Sequence, residues 1–355
     1  MQILTGLFEG VTYPCVHALA SAWTPASERS RFIGSVWSGA FAGTVIALPA
    51  SGVLIAEAGW PSVFYVFGGA GVVWAAAWAA LGASSPEQAA GIDPAELAHI
   101  AATRGSEDAA QRRARLPWRA IFSSPAVWAI AIQHATHNYM FYMLLTWLPN
   151  YLNQQLGFDV ENSGVLAVVP YMACFLASNA AGVLADAALA RGASPRSVRI
   201  ASQFAAEVVP AATLLAVGFI TNVPAVLTLL TLSVGFGGFQ GSGFAVNHLD
   251  IAPHIAGVLM GVGNTLATVS GIIAPIIVGA LVAKPHDDAG HWRIAFALAA
   301  GIAVAGFLVF AACARGERLP ELDFVEGEED EEGATAKLVP RGGADDGYAK
   351  LEARE

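Results

Sequence analysis

Charge is scarce in this chain. Lys, Arg, Asp and Glu together make up 13% of its 355 residues, 55% are hydrophobic, and the mean hydropathy is +0.54. Soluble globular domains carry about 25% charged residues, so that class is set aside in favour of a membrane protein. Cysteine is nearly missing as well. Cys15, Cys174 and Cys313 all lie inside apolar runs, with no pairing or metal-ligand spacing between them, which excludes a disulfide framework and a cysteine metal centre. There is no nucleophile-elbow pattern, no metal-ligand triad and no Gly-rich phosphate loop between a strand and a helix, so the chain does not read as an enzyme.

What is present is a series of apolar runs of about 20 residues, each enough to cross a roughly 30 Å hydrocarbon slab. Only helices do so without stranding backbone polar groups, so the fold class is all-α and polytopic. The runs predict nine helices, near residues 3–22, 33–56, 61–83, 125–149, 160–185, 200–220, 224–247, 255–283 and 291–314. No cleavable signal or transit peptide precedes the first. Arginines crowd one alternate set of connections: Arg29 and Arg31; Arg104, Arg112, Arg113, Arg115 and Arg119; Arg191, Arg196 and Arg199; Arg315 and Arg318. The other set holds Lys284 and Arg293. Basic residues are retained on the cytoplasmic side, which puts the 84–124 connection and the C-terminus in the cytoplasm and the N-terminus outside.

Four units follow: a partial N-terminal transmembrane bundle (1–83), a cytoplasmic linker (84–124), a six-helix bundle (125–314) and an acidic cytoplasmic tail (315–355). The tail contains EGEEDEEG, which can bury nothing and is expected to be disordered. Many secondary transporters consist of two six-helix halves, each an inverted pair of three-helix repeats. Residues after 125 match one half and those before match one repeat. The expectation is therefore that about three helices are absent from the N-terminal side, with Met1 an internal start or the edge of an incomplete gene model.

Polar groups at membrane depth are costly and mark candidate sites. Glu9 lies about two turns into the first run, with Thr5, Thr12 and Tyr13 spaced to share its face. It suits proton or cation binding, or an interfacial position near the outer surface. His134, His137 and Asn138 form one stripe on the fourth run, either hydrogen-bonding between helices or lining a cavity that meets an anion or a proton. Two histidines without a third local ligand are a poor metal site, and no metal is expected. Tyr139 and Tyr142 add hydroxyls. Glu207 sits beside Pro210, where a kink would re-aim it, or it snorkels. Asn264 follows Gly257 and Gly261, whose GxxxG spacing suits close helix packing. Gly182, Asp186 and Arg191 form a cluster at a cytoplasmic helix end. Asn247, His248, Asp250 and Pro253 make a polar knot between two apolar runs.

The Gly182, Asp186 and Arg191 cluster resembles the loop motif of the major facilitator superfamily. GLFEGVTYP, ASERSR, GWPSVFYVFG, LLTWLPNYL and NHLDIAP are together similar to its anion:cation symporter family, over about residues 2–319. That branch includes carriers of glutamate, sialic acid, phosphate and ascorbate. The resemblance implies that these helices are the fourth to twelfth of twelve and that Glu9 takes the acidic position linked to ion or proton coupling. It places His137 where glutamate carriers have an anion-facing arginine and Tyr142 at a tyrosine one turn on, while Gln2 stands where many members have arginine. The knot becomes a polar hinge at the cytoplasmic loop, with Asp186 and its cluster latching helix ends.

The sequence thus points to a secondary active transporter of an inorganic or organic anion by alternating access, coupled to Na+ or H+, with no other cofactor. THNY and LLTWLPNYL tilt the substrate towards phosphate or ascorbate. Glu9 would couple the ion, and His137, Tyr142, Asn138, His134, Tyr13 and Asn264 would meet the anion. The alternative is a truncated, transport-inactive membrane fragment or paralogue that assembles with a full-length partner. Expected partners are the lipid bilayer and a small anion, with no nucleic acid and a monomeric chain. Plastid, endomembrane and plasma membrane fit equally.

Overall fold

The computed structural model describes residues 2–104, 115–157, 160–282 and 289–323. Arg112, Arg113, Lys284 and the acidic run expected to be disordered lie outside the described residues. Regular structure among the described residues is helical: α1 (Gln2–Glu9), α2 (Thr12–Trp23), α3 (Arg29–Ala58), α4 (Pro61–Leu81), α5 (Pro94–Arg104), α6 (Trp118–Ser123), α7 (Pro125–Leu156), α8 (Val160–Ala190), α9 (Pro195–Val217), α10 (Val223–Gly237), α11 (Phe244–Ile251), α12 (Ala256–Val282) and α13 (Ala289–Cys313).

Seven segments among the described residues are helical, long and apolar enough to cross a membrane: Ala26–Ala58, Pro61–Leu81, Val168–Ala190, Pro195–Val217, Val223–Ile251, Pro253–Val282 and Gly290–Cys313. The expected count was nine, and the two differences have physical causes. The first run is divided at Gly10 and Val11 into α1 and α2, of 8 and 12 residues. The fourth is α7, which at 32 residues is long enough but carries Gln133, His134, His137 and Asn138 on its surface. These polar groups are tolerable because neighbouring helices cover them, Glu207 of α9 meeting His137, and Phe244 of α11 and Gly263 of α12 facing His134. The linker is not plain loop either, since α5 and α6 lie within it. The run expected over 224–247 is broken, with a 3-10 turn at Gly238–Ser242 separating α10 from α11.

The helices from α7 onward form one bundle, with α7 on α12 and α13, α8 on α10, and α9 on α10 and α13. Rings fill one end of it, Tyr151 near the C-terminus of α7 meeting Trp292 and Phe296 near the N-terminus of α13 edge-on at centroid distances of 5.0 and 5.1 Å. Lipid tails are as apolar as these side chains, so helix association depends on close packing and hydrogen bonds between helices. Glycines supply the close approaches. An added Cβ at Gly257 would meet Pro14 O at 2.8 Å, so the GxxxG face of α12 seats α2. Gly34 on α3 and Gly182 on α8 do the same where those helices cross.

These crossings lie at one end of the molecule, where the linker and the segment after α13 also lie; we call it the linker end. The buried residues of α3 fall between Arg29 and Phe41, and those of α2 are His17 and Ala20. Every described side chain of α1 is exposed, and α4 buries none of its residues. Contact between the α1–α4 group and the larger bundle is therefore concentrated at the linker end.

A Cβ at Gly182 would stand 2.8 Å from Arg31 Cα and 2.9 Å from Ser30 O, whereas one at Gly301 on α13 meets nothing within 4 Å. Gly182→Ala is expected to destabilise the protein by about 1–3 kcal/mol. It should lower the melting temperature in detergent, with Gly301→Ala leaving it unchanged or raised.

Candidate functional site

Ser194 caps α9, its side-chain oxygen accepting from Ser197 N–H, and Pro195 opens the first turn. From there Arg199, Gln203 and Glu207 recur every fourth residue on one face, with relative exposures of 1%, 0% and 0%. Buried charge needs partners, and each rung of this ladder has them. The Arg199 guanidinium grips Asp250 with both arms, Nε at 2.7 Å from Oδ2 and Nη2 at 3.1 Å from Oδ1, and Nη1 donates to Ser30 Oγ at 2.8 Å. Gln203 Oε1 accepts the Phe244 N–H at 3.0 Å, one of the open amides at the start of α11. Its Nε2 donates to Glu207 Oε1 at 3.2 Å, and His137 Nδ1 lies 2.7 Å from the same oxygen.

Asp250 belongs to the polar knot. Asn247 Nδ2 donates to Asp250 Oδ2 at 3.0 Å and to Arg315 O at 2.7 Å, and His248 Nδ1 donates to Ala245 O at 3.0 Å. Pro253 opens a 3-10 turn that stops α11, and Leu319 N–H then bonds Ile251 O at 2.8 Å. The knot thus joins α9, α11 and the chain after α13. Through Ser30 it also reaches α3.

Asp186 sits at the same end. Its carboxylate accepts from the backbone N–H groups of Ser30 and Arg31, at 3.2 and 2.9 Å, and so caps α3 from a neighbouring helix. An anion at a helix N-terminus satisfies open amides and opposes the helix dipole. Arg191, grouped with Asp186 on sequence, is exposed and reaches Ala187 O on its own helix at 3.3 Å. Further bonds cross between α2 or α3 and the larger bundle: Arg29 Nη1 to Leu249 O at 3.0 Å, Ser178 Oγ to Gly34 O at 2.9 Å, and His17 Nε2 to Ala245 O at 2.9 Å. His17 Nδ1 meets a second carbonyl, Tyr13 O, also at 2.9 Å. A neutral ring donates to one of the two and a protonated ring to both.

His134 and His248 flank Gly263, where an added Cβ would stand 3.6 Å from His134 Nδ1 and 3.8 Å from His248 Nε2. Phe244 stacks on His134 at 4.8 Å and leans on His137 at 6.1 Å. Among the described residues no group of three or more His, Cys, Asp or Glu is placed to hold a metal. Next to His137 lies a cavity of about 20 Å³ lined by Phe41, Phe141, Tyr171, Cys174 and Ser233.

The other sequence candidates sit elsewhere. Glu9 is exposed at the end of α1, within electrostatic range of Tyr142, which in turn is in range of half-buried Tyr13. Tyr142 is 38% exposed and packs on Gly271. Asn138 and Asn264 are half-buried. The ladder partners Arg199, Gln203 and Ser30 were missed. Arg199 was counted only as a loop cation, although the four-residue spacing on α9 was legible.

Membrane-length helices, joined at one end by polar contacts between an α1–α4 group and a larger bundle, define a polytopic membrane protein. The chain matches the Major Facilitator Superfamily over residues 1–275, and it belongs to that family. It is similar to sialin of Ovis aries, 40% identical over 319 residues that cover 89% of this chain and 64% of that protein. It also resembles vesicular glutamate transporter 3 of Danio rerio (38% over 322 residues, 90% and 54%) and vesicular glutamate transporter 2 of Homo sapiens (37% over 327 residues, 91% and 56%). These are members of the anion:cation symporter branch to which the motifs pointed, and the chain spans 54–64% of their lengths.

Removing one partner of a buried ion pair costs about 3–5 kcal/mol. Arg199→Ala and Asp250→Ala are each expected to destabilise by about that much, and the double variant by much less than their sum. Melting curves of all four proteins in one detergent measure the coupling.

Proposed function

We infer that this protein is a secondary active transporter that moves an anion by alternating access. The observation that carries this is the way the α1–α4 group meets the larger bundle. The hydrogen bonds that cross at the linker end, from Ser30, Arg31, Arg29, Gly34 and His17, are ones that water can replace. Ile33, Trp37 and Phe41 of α3 add an apolar contact to this interface, Trp37 meeting Phe244 and Phe41 meeting Phe141, and contact concentrated towards one end is what a closed gate on that side requires. In this reading the linker end is the cytoplasmic face, and Asp186 and the Arg199–Asp250 pair are the latch.

The anion enters from the opposite side, between α1 and α7. Glu9 meets the coupling cation, Na+ or H+, beside Tyr142 and Tyr13. His137, Asn138, His134 and Asn264 lie deeper, as the polar surface that an anion meets. The names of the relatives favour glutamate and the motifs THNY and LLTWLPNYL favour phosphate or ascorbate, so the substrate class is a small oxyanion. No cofactor besides the coupling ion takes part.

Purified protein in proteoliposomes, offered radiolabelled glutamate, sialate, phosphate and ascorbate under imposed Na+ or pH gradients, tests the reading. Concentrative uptake of at least one anion is expected, with Glu9→Gln removing its dependence on the gradient while leaving folding intact. No uptake by this chain, with uptake by one extended upstream by further helices, would instead favour a transport-inactive fragment or paralogue.

A further inference from the structure

Several buried polar atoms of the larger bundle have no hydrogen-bond partner among the described residues, and two of them, Glu207 Oε2 and Tyr171 Oη, lie on either side of His137. Tyr171 on α8 and His137 on α7 line the same small cavity, and Glu207 stands behind His137 with Oε1 at 2.7 Å from Nδ1. Gln203 also donates to Oε1, and the Phe244 N–H fixes which way its amide faces. The carboxylate is thus held by one oxygen, while the other is left bare in a low-dielectric interior. That is costly for a charged group and far less so for a protonated one.

We propose that His137 and Glu207 form a proton-linked anion contact, with Tyr171 as its hydroxyl donor. The pair holds one proton between Nδ1 and Oε1 and is then neutral overall. A second proton on Oε2 neutralises the carboxyl group and leaves the imidazolium uncompensated, giving the unit a charge of about +1 beside the cavity. An oxygen of a carboxylate or phosphate drawn towards His137 can accept from the Tyr171 hydroxyl. Phe41, from α3, forms part of the cavity wall, so movement of α3 enlarges the space beyond the present one. Because proton and anion each favour binding of the other, they travel together. This assignment rests on the transport reading above and deepens it: with the proton as coupling ion, the pair on α7 and α9 is a second proton site besides Glu9, and it is the one that meets the anion.

Other ionisable groups lie on the elements packed around the pair. His134 and Tyr139 share α7, and Tyr171 and Cys174 face it from α8. His17 and Tyr13 lie on α2, His248 and Asp250 on α11, and Arg29 and Arg31 at the start of α3. Arg199 is two turns along α9 and engaged by Asp250, Arg31 lies beside Asp186, and Arg293 on α13 is bound to Gly218 O. α10 and α12 carry no titratable residue.

Two measurements on the whole protein in lipid test the assignment. Infrared difference spectra across a pH titration should show a protonated-carboxyl stretch that is lost in Glu207→Gln. Absence of that band in the unaltered protein, or its persistence in Glu207→Gln, would overturn the proton site. Binding of tritiated glutamate and radiolabelled phosphate should weaken by up to about tenfold per pH unit above the titration, as linkage of one proton to one anion requires. The double variant His137→Arg with Glu207→Gln keeps a fixed cation and should bind glutamate, whose carboxylates stay ionised across this range, with no pH dependence. A glutamate slope that survives there belongs to other groups of the protein and overturns the linkage. If neither anion binds the unaltered protein, the transport reading fails, and the infrared band alone decides whether Glu207 takes the proton.

Discussion

A guanidinium with 1% of its surface exposed, in a chain where charge is rare, constrains everything around it. Arg199 cannot lose its proton and cannot reach water, so the fold must bring it a carboxylate, and it brings Asp250. Meeting that demand fixes the register of α9 against α11. The remaining donor then reaches across to Ser30, which ties the start of α3 to the same point. Asp186 anchors α3 within one residue of that contact, through backbone amides rather than a side chain. The linker end is therefore organised by a few charged groups, each meeting a need that another helix supplies.

The two kinds of contact in this molecule have different consequences. Inside the larger bundle, rings and aliphatic side chains interlock, as Tyr151, Trp292 and Phe296 do, and their close fit rather than their apolarity holds them, since lipid tails are equally apolar. Between that bundle and the α1–α4 group, hydrogen bonds and glycine crossings stand beside an apolar contact of Ile33, Trp37 and Phe41, and water offers equivalent partners for the polar part alone. The ladder on α9 then runs from the replaceable contacts to the rigid interior, ending at His137 and Glu207.

Much of this was legible in the residues. Hydrophobic run length identified the spanning helices, because crossing lipid imposes both a length and a composition on each segment separately. Gly257 and Gly261 were read as a packing face, and they seat α2. What the sequence did not show were relations between distant segments. Arg199 looks like any arginine near a helix start until Asp250, 51 residues later, is folded against it. Arg191 looked like the partner of Asp186 because it is near in sequence, whereas backbone amides 155 and 156 residues away fill that role. Glu207 could be placed in a helix but not beside His137, since nothing local specifies which faces of α7 and α9 meet. Periodicity reports which side of a helix is buried, and only the assembled bundle reports against what.

The polarity of α7 bears on how the protein is made. Its neighbours reach the hydropathy of independent spanning segments and α7 does not, although it is the longest helix of the bundle. During insertion by the translocon a segment partitions into lipid according to its own composition, and one bearing Gln133, His134, His137 and Asn138 gains little from doing so alone. The groups that shelter them come later in the chain: Glu207 follows His137 by 70 residues, and Phe244 and Gly263, which face His134, follow further on. The polar residues of α7 are thus expected to slow its insertion, with provisional pairing to its neighbours holding it until those partners arrive.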